Sequence, residues 1–346
     1  MATTTPLAHT TTCIPTQAAS GPGRTMRAII QRGYGTADVL SPGEVDRPRI
    51  EPDEVLMEVR AAGLDRGTWH LMAGLPYAVR LVSGLRAPKR PVPGLDVAGV
   101  VVAVGGSVTR FLPGDEVFGI ARGSFAEFAA AREDKLARRP SALTFERAAA
   151  MSISGLTALR ALCDVGHLRA GQHVLIIGAS GGVGTHAVQI AKALGAQVTA
   201  VCSTAKLDLV RSIGADHVID YTRDDFTDSG HRYDLILDIA GNSSLARLRR
   251  ALAPRGTLVL TGGEDSGRWF GVGRQLRASA LSPFIRQRLT AVLNREHYSG
   301  LERLAELVDS GQLVPVVGRT YPLSDMPQAM RDLVAGKARG KLVITI

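Results

Sequence analysis

A group of closely spaced glycines in the middle of the chain constrains its fold more than any other feature. Gly178, Gly181 and Gly184 follow an apolar stretch, 174–177, and precede a stretch with helical periodicity, 185–194. Glycine lets a backbone approach a pyrophosphate closely, and the next helix offers unpaired N–H groups and the positive end of its dipole. A strand, this turn, a helix and a second strand together predict dinucleotide binding, whereas the alternative is a purely structural turn. The predicted phosphate contacts are Gly178, Ser180, Gly181, Gly182, Val183 and Gly184.

The end of the second strand predicts which dinucleotide is bound. An acidic side chain about 20 residues beyond the glycines would bind the ribose 2′-hydroxyl of NAD. This chain has Ser203, Thr204 and Lys206 there, and hydroxyls with an ammonium suit a 2′-phosphate. Tyr221, at the end of the third strand, adds a phenol donor. We therefore predict NADPH; in the alternative, Lys206 is solvated and Asp208 binds the ribose.

The pattern of strands and helices divides the chain into two domains after a tail. Residues 1–25 are Thr-rich and aperiodic, which predicts a disordered tail, with a targeting segment as the alternative. Short β-branched segments separated by Gly and Pro over 26–152 predict a small β-rich domain. Strands alternating with amphipathic helices over 153–310 predict an α/β fold with a doubly wound parallel sheet. The segment 311–346 ends in a strand that we expect to rejoin the first domain.

Composition excludes several classes of protein. The chain of 346 residues has three cysteines, too few for a disulfide framework or a Cys-rich zinc site. Its net charge of +9 is scattered, without the runs or motifs of nucleic-acid binding. No apolar stretch is long enough to cross a membrane. We therefore predict a cytoplasmic protein whose partners include neither nucleic acid nor membrane.

Several short motifs resemble the medium-chain dehydrogenase/reductase superfamily, specifically its zinc-free quinone oxidoreductase branch. The segments 268–271 and 282–287 are similar to the reticulon-interacting-protein-like subgroup. This resemblance implies a GroES-like catalytic domain, a Rossmann cofactor domain, a cleft between them and a homodimer. The family motifs are Pro93-Gly94-Leu95-Asp96-Val97-Ala98-Gly99, Pro113-Gly114-Asp115-Glu116-Val117, Gly123-Ser124-Phe125-Ala126-Glu127, Gly155-Leu156-Thr157-Ala158 and Gly340-Lys341-Leu342-Val343.

The resemblance also bears on a catalytic metal. Positions that hold zinc in metal-dependent relatives match Asp65, Leu95 and Ser154 in this chain. Without imidazole or thiolate partners, a lone Asp65 is a poor zinc site. We therefore predict no metal, and a hydride acceptor whose negative charge delocalises without one.

The candidate catalytic residues lie just after the second β-segment of the first domain. Asp65 stands where the family has Asn, and we expect it to position substrate or relay a proton, paired for example with Arg66; the alternative is a loop cap. His70 is a candidate proton donor, against the alternative of a partly buried structural histidine. Trp69 and Tyr77 are predicted walls of the substrate pocket.

The predicted contacts on the nicotinamide side come from the second domain. Thr157 matches the family's contact through the resemblance. Gly241, Asn242, Gly262 and Gly263 follow the fourth and fifth strands, where doubly wound sheets bind ligands, although they are also ordinary turn residues.

These residues together predict a zinc-independent, NADPH-dependent oxidoreductase that reduces a quinone or an α,β-unsaturated carbonyl. One alternative is a reductase of enoyl thioesters or of natural-product double bonds. Another is a binding protein that NADPH regulates and that has no significant turnover. Because fold does not fix function, the sequence leaves all three open.

Overall fold

The computed structural model describes residues 25–228, 230–261, 273–292 and 296–346. Within these ranges, seven strands form one sheet, six form a second, and β1 pairs with β2 apart from both. The predicted tail falls almost wholly on residues 1–24, which lie outside the described residues, as do Gly262 and Gly263 and the motif 268–271. None of the described helices is both long enough and apolar enough to cross a membrane.

The first sheet is built mainly from the N-terminal part of the chain. Its strand order is β14-β15-β3-β4-β5-β7, with β6 also paired to β3. All pairs are antiparallel except β14 with β15. Along β3, Val55, Met57 and Val59 are buried at every second position, as expected for a strand with one face on a core. The strands of this part are β1 (Thr25–Gln31), β2 (Leu40–Asp46), β3 (Glu54–Leu64), β4 (Asp96–Val104), β5 (Glu116–Ile120), β6 (Phe128–Arg132), β7 (Leu136–Arg138), β14 (Val317–Pro322) and β15 (Lys341–Thr345).

The second sheet is parallel throughout, with the strand order β10-β9-β8-β11-β12-β13. This is the Rossmann order, and it confirms the predicted doubly wound sheet. Strand order reverses between β8 and β11, where such sheets bind their ligands. The sequence did not predict β13, because its four residues include Arg288 and Thr290 and lack an apolar run. The strands are β8 (His173–Ile177), β9 (Gln197–Cys202), β10 (His217–Asp220), β11 (Tyr233–Asp238), β12 (Leu252–Leu260) and β13 (Arg288–Ala291).

The helix after the glycine turn begins at Gly182, three residues before the predicted start at Thr185. The difference arises because Gly181 has extended backbone and serves as the N-cap, so that Gly182 and Gly184 are already helical. The helices are α1 (Arg66–Ala73), α2 (Arg80–Ser83), α3 (Phe145–Ala149), α4 (Ser152–Leu159), α5 (Gly182–Ala193), α6 (Leu207–Ser212), α7 (Leu245–Ala251), α8 (Gly273–Leu281), α9 (Tyr298–Asp309) and α10 (Met326–Val334).

The last strand connects the two sheets. β15 pairs antiparallel with β3 of the first sheet, Val343 lying opposite Gly63. Just before β15, the Gly340 N–H donates to the Ser180 carbonyl at 2.8 Å, and Gly340 also forms a parallel bridge with Gly181. The C-terminal strand therefore places Lys341 between the glycine turn and the N-terminal sheet.

Candidate active site

The glycine turn has the geometry that a pyrophosphate requires. Gly178 has φ of +88°, a conformation that side chains disfavour, and a Cβ on Gly184 would lie 2.3 Å from the Gly178 carbonyl oxygen. Gly181 at the N-cap of α5 makes no side-chain cap hydrogen bond, so no capping side chain covers the amides of the first turn. These groups fit the phosphates of a dinucleotide.

Lys206 lies in the loop after β9, on a short 3₁₀ turn that leads into α6. Its ammonium donates to the Gly336 carbonyl at 2.9 Å, so the segment before β15 also contacts this loop. Burial lowers the pKa of Lys206, and the positive charge of Arg339 lowers it further. Two cations thus lie close enough for the charge of one to lower the pKa of the other, an arrangement that favours a bound anion.

The other residues predicted at this loop differ in how they are placed. Ser203 is half-buried and Tyr221 is 60% exposed. The Thr204 hydroxyl donates to the Asp220 carboxylate, which lies at the end of β10 and also accepts the Thr222 N–H at 3.0 Å. Asp220 therefore gives the Thr204 hydroxyl an acceptor within the protein, a role that the sequence did not indicate.

At the switch point, the predicted residues lie around the ends of β8 and β11. The Thr157 hydroxyl, on the buried helix α4, donates to the Ile153 carbonyl at 2.7 Å. The Gly241 N–H donates to Asp238 at 3.1 Å, while Asn242 is exposed. Asp238 is fully buried and forms an ion pair with Arg274 of α8 at 2.7 Å, which the sequence did not predict.

A buried charge cluster lies where the two sheets meet. The Lys341 ammonium is 2.5 Å from an Asp96 carboxylate oxygen and 3.6 Å from Asp65 Oδ2, and it donates to the Ser154 hydroxyl at 3.1 Å. Lys341 is 2% exposed, Asp96 0% and Asp65 8%. We refer to Lys341, Asp96 and Asp65 as the lysine cluster. Lys341, from the opposite end of the chain, thus supplies a cation to Asp65 that the sequence did not indicate.

The sequence placed Lys341 and Asp96 in family motifs without indicating what they do. Burial raises the pKa of Asp96 to about 7; the positive charge of Lys341 opposes this shift and the Asp65 carboxylate adds to it. Burial disfavours the Lys341 ammonium, but the two carboxylates outweigh burial and raise the pKa of Lys341. Lys341 therefore stays charged, while Asp96 titrates near neutral pH.

Asp65 is the N-cap of α1, and its Oδ1 accepts the Thr68 N–H at 2.7 Å. The alternative interpretation of Asp65 as a cap thus describes one of its two carboxylate oxygens, while the other faces Lys341. His70 Nδ1 lies 2.7 Å from the Leu75 carbonyl, so neutral His70 carries its proton on Nδ1. His70 also contacts the Trp69 ring edge-on, with ring centroids 4.8 Å apart, and Tyr77 is 37% exposed.

The positions that match zinc ligands in relatives contain no metal-binding cluster. Asp65 and Ser154 both contact the Lys341 ammonium. Over the described ranges, no three His, Cys, Asp or Glu side chains are grouped in a way that could bind a metal ion.

Two family models match the chain. The alcohol dehydrogenase GroES-like domain matches residues 51–141, and the zinc-binding dehydrogenase model matches residues 213–344. With the parallel sheet described above, these matches confirm the predicted fold class, a GroES-like domain joined to a Rossmann domain.

Curated relatives and a solved structure agree with these matches. The mouse mitochondrial NAD(P)H oxidoreductase RTN4IP1 is 34% identical over 85% of this chain and 82% of its own length. A tomato 2-methylene-furan-3-one reductase is 32% identical over 92% of this chain and 79% of its own length. The quinone oxidoreductase from Coxiella burnetii superposes with a TM-score of 0.83 at 26% identity, covering 93% of this chain and all of the other.

Proposed function

The chain belongs to the quinone oxidoreductase-like branch of the medium-chain dehydrogenase/reductase superfamily, and we propose that it transfers hydride from NADPH to a quinone or α,β-unsaturated carbonyl without a metal ion. That it is an oxidoreductase follows from its relatives. The observation that carries the finer proposal is the position of Lys341. One strand joins the glycine turn to an ammonium that contacts Asp65 and Ser154, the positions matching metal ligands in relatives.

The charge around Lys206 supports NADPH over NADH. Lys206 and Arg339 lie close enough for the charge of Arg339 to lower the pKa of Lys206, and the acceptor of the Lys206 ammonium among the described residues is the uncharged Gly336 carbonyl. Like charges held together are unfavourable until an anion joins them. A 2′-phosphate supplies two negative charges at this point, whereas the 2′-hydroxyl of NADH supplies none.

The lysine cluster supports a metal-independent reaction. A divalent cation within reach of Asp65 and Ser154 would be repelled by the Lys341 ammonium. Reduction of an isolated carbonyl develops alkoxide charge that usually needs a metal or strong acid. A quinone or enone spreads the charge over a conjugated system, so hydrogen-bond donors suffice. The names of the tomato and Coxiella relatives fit such acceptors.

Each part of the site then has a definite task. NADPH, when bound, supplies the hydride. The amides of the first turn of α5 bind the pyrophosphate, and Lys206 with Arg339 binds the 2′-phosphate. Asp65 and the residues of α1 line the acceptor side, where they orient the acceptor and exclude water. A cytoplasmic location and a homodimer stay predictions.

The test is anaerobic oxidation of NADPH by protein treated with EDTA. The acceptors are a simple quinone, a simple enone and a saturated aldehyde, with products identified by mass and NADPH binding measured separately by fluorescence. We expect turnover of the quinone or enone, little with the aldehyde, and slower rates with NADH. Activity that disappears with EDTA and returns with zinc would contradict the metal-free proposal. Binding of NADPH without any turnover would favour the regulated binding protein.

A further inference from the structure

The lysine cluster is buried and contains more negative than positive charges. With both carboxylates ionised, Asp96 and Asp65 bring two negative charges against the single positive charge of Lys341. All three side chains are at most 8% exposed, so water cannot compensate for the excess negative charge. Such a cluster is neutral only when it holds one further proton.

Among the described residues, Lys341 is the cation whose charge acts on Asp96, and Asp96 and Asp65 are the carboxylates whose charges act on Lys341. Asp96 Oδ1 accepts the Ile153 N–H of α4 at 2.8 Å, and Asp65 Oδ1 accepts from Thr68 of α1. From α5, His186 faces Lys341, and its Nδ1 lies 2.7 Å from the Gly182 carbonyl. Burial lowers the pKa of His186 to about 4, with the charge of Lys341 adding to the effect, so His186 is neutral at physiological pH.

The cluster lies directly against the phosphate-binding turn. A Cβ on Gly182 would be 3.2 Å from Lys341 Cδ and 2.9 Å from the Ser154 hydroxyl. Any anion bound at the first turn of α5 is therefore separated from Asp96 by little more than the Lys341 side chain. Added negative charge at that distance favours the protonated form of a buried carboxyl.

We propose that Asp96, Lys341 and Asp65 form the proton store of the reaction, taking up a proton from solvent when the dinucleotide binds and passing it on through Asp65. This inference rests on the proposed function, because the proton matters only if an acceptor is reduced. Asp65 is the exit because it is the most exposed of the three residues, caps α1 on the acceptor side, and turns Oδ2 toward Lys341.

The proton balance is simple. Reduction of the acceptor takes one hydride and one proton. Lys341 gives a proton to Asp65 and receives one from protonated Asp96, which moves the stored proton without changing the charge of the lysine. Asp65 then gives that proton to the reduced, negatively charged acceptor. The cluster ends with both carboxylates ionised and recovers its proton from solvent when the next dinucleotide binds.

The direct test measures protons rather than turnover. Calorimetric titration of NADPH at pH 7.5, in two buffers of different ionisation enthalpy, gives the number of protons taken up on binding. We expect roughly half a proton for the wild-type protein, since Asp96 is only partly protonated beforehand. The Asp96→Asn variant should show close to none, while Asp309→Asn, at the end of α9 and exposed, should match the wild type. NADH is the control for protons on the 2′-phosphate and should show the same Asp96-dependent uptake.

A kinetic test addresses the role of Asp65 as the residue that gives the proton to the acceptor. Asp65→Asn should lower kcat by about 10²-fold, because a positioned proton donor typically contributes that much. It should also reduce the calorimetric uptake, because the Asp65 carboxylate helps to raise the pKa of Asp96. Asp65→Asn with undiminished kcat would overturn the relay through this residue. Wild-type protein that binds NADPH and reduces an enone without proton uptake would overturn the inference alone, even if Asp96→Asn does not fold. Failure to bind NADPH, or to reduce any acceptor, would instead remove the proposed function.

Discussion

Lys341 begins the last strand and Lys206 contacts the segment that leads into it, yet the two lysines lie in opposite electrostatic surroundings. Lys341 is buried between two carboxylates, whose charges raise its pKa. Lys206 is half-buried opposite Arg339, and both burial and that second cation lower its pKa. One lysine is held by charges that the chain itself supplies, whereas the other adds to an excess of positive charge.

The two lysines therefore differ in what depends on their charge: the fold requires the charge of Lys341, whereas ligand binding requires the charge of Lys206. Removing one partner of a buried ion pair leaves an uncompensated charge in a poorly solvated place. Removing one of two facing cations relieves repulsion in the unliganded protein and costs affinity only when an anion binds. We therefore expect Lys341 to govern stability and Lys206 to govern cofactor choice.

The largest expected effect is on folding. Lys341→Met should lower the free energy of unfolding by about 3–5 kcal/mol at pH 8, because Asp96 and Asp65 lose their cation. The loss should shrink at pH 6, where Asp96, whose pKa is about 7, becomes protonated. Urea unfolding followed by circular dichroism at both pH values measures this.

Lys206→Met is the matched control and should change stability by less than about 0.5 kcal/mol. If Lys341→Met is too unstable to purify, the double variant with Asp96→Asn should recover part of the loss. Equal, small effects of the two lysine substitutions would end the distinction between them.

The next effect is on the pH dependence of stability. It shows how far water is excluded from His186, which lies beside the lysine cluster. His186 has a pKa of about 4 in the fold against 6.5 ordinarily, so the unfolded chain takes up a proton first as the pH falls. Stability is therefore lost between pH 6.5 and 4, by up to about 3 kcal/mol. Asp96, with a raised pKa, acts in the opposite direction and gains stability as the pH falls from 7 toward 4.

Because the two groups oppose one another, the informative quantity is a difference between proteins. His186→Asn cannot titrate but still offers a donor to the Gly182 carbonyl, so its stability relative to the wild type should rise between pH 7.5 and 4.5. His217→Asn is the control, since His217 is exposed in the fold. A constant difference across the pH range would mean that water reaches the imidazole.

A smaller effect is expected on cofactor affinity. Lys206→Ala should weaken NADPH binding by about 2 kcal/mol, roughly 30-fold in Kd, through loss of a charge-assisted contact. The Kd for NADH should barely change. Lys192→Ala is the control, because Lys192 already forms an ion pair with Asp216 at 2.7 Å. The same loss for both cofactors would contradict the assignment of Lys206 to the 2′-phosphate.

The smallest effect concerns Arg339. Its side chain is exposed, so Arg339→Ala should cost about 1 kcal/mol of NADPH affinity, near fivefold in Kd. The salt dependence of NADPH binding should also become shallower. Arg331→Ala, which removes an exposed ion pair with Asp38, should leave both quantities unchanged. Unaltered NADPH affinity in Arg339→Ala would contradict a contribution of Arg339 to binding of the 2′-phosphate.

Much of the second domain could be predicted from the sequence. The apolar run 174–177, the glycine turn and the helix that follows are local features, and each is specified by neighbouring residues. The start of α5 was misplaced because glycine has low helix propensity, and only the extended N-cap conformation of Gly181 shows that Gly182 is already helical. Strand β13 was missed because it is a short edge strand with little apolar pattern.

The candidate site could be predicted only in part. The turn residues and Lys206 lie close together in sequence, whereas the lysine cluster is formed by segments from three parts of the chain. From the sequence, Asp65 was paired with its neighbour Arg66, and Asp96 was given no role. Both outcomes arose because the sequence does not show that Lys341 lies next to the two carboxylates. The family motif around Lys341 was the available signal, but a motif does not state which side chains meet.

The sequence by itself determined the doubly wound sheet and its phosphate turn, because both follow from periodicity and from backbone conformations that adjacent residues impose. Only the tertiary structure decided the surroundings of the two lysines. The pairing of β15 with β3 puts Lys341 between Asp65 and Asp96, and the preceding segment brings Arg339 to Lys206. Charge interactions depend on distance and burial in space, which the order of residues along the chain does not contain.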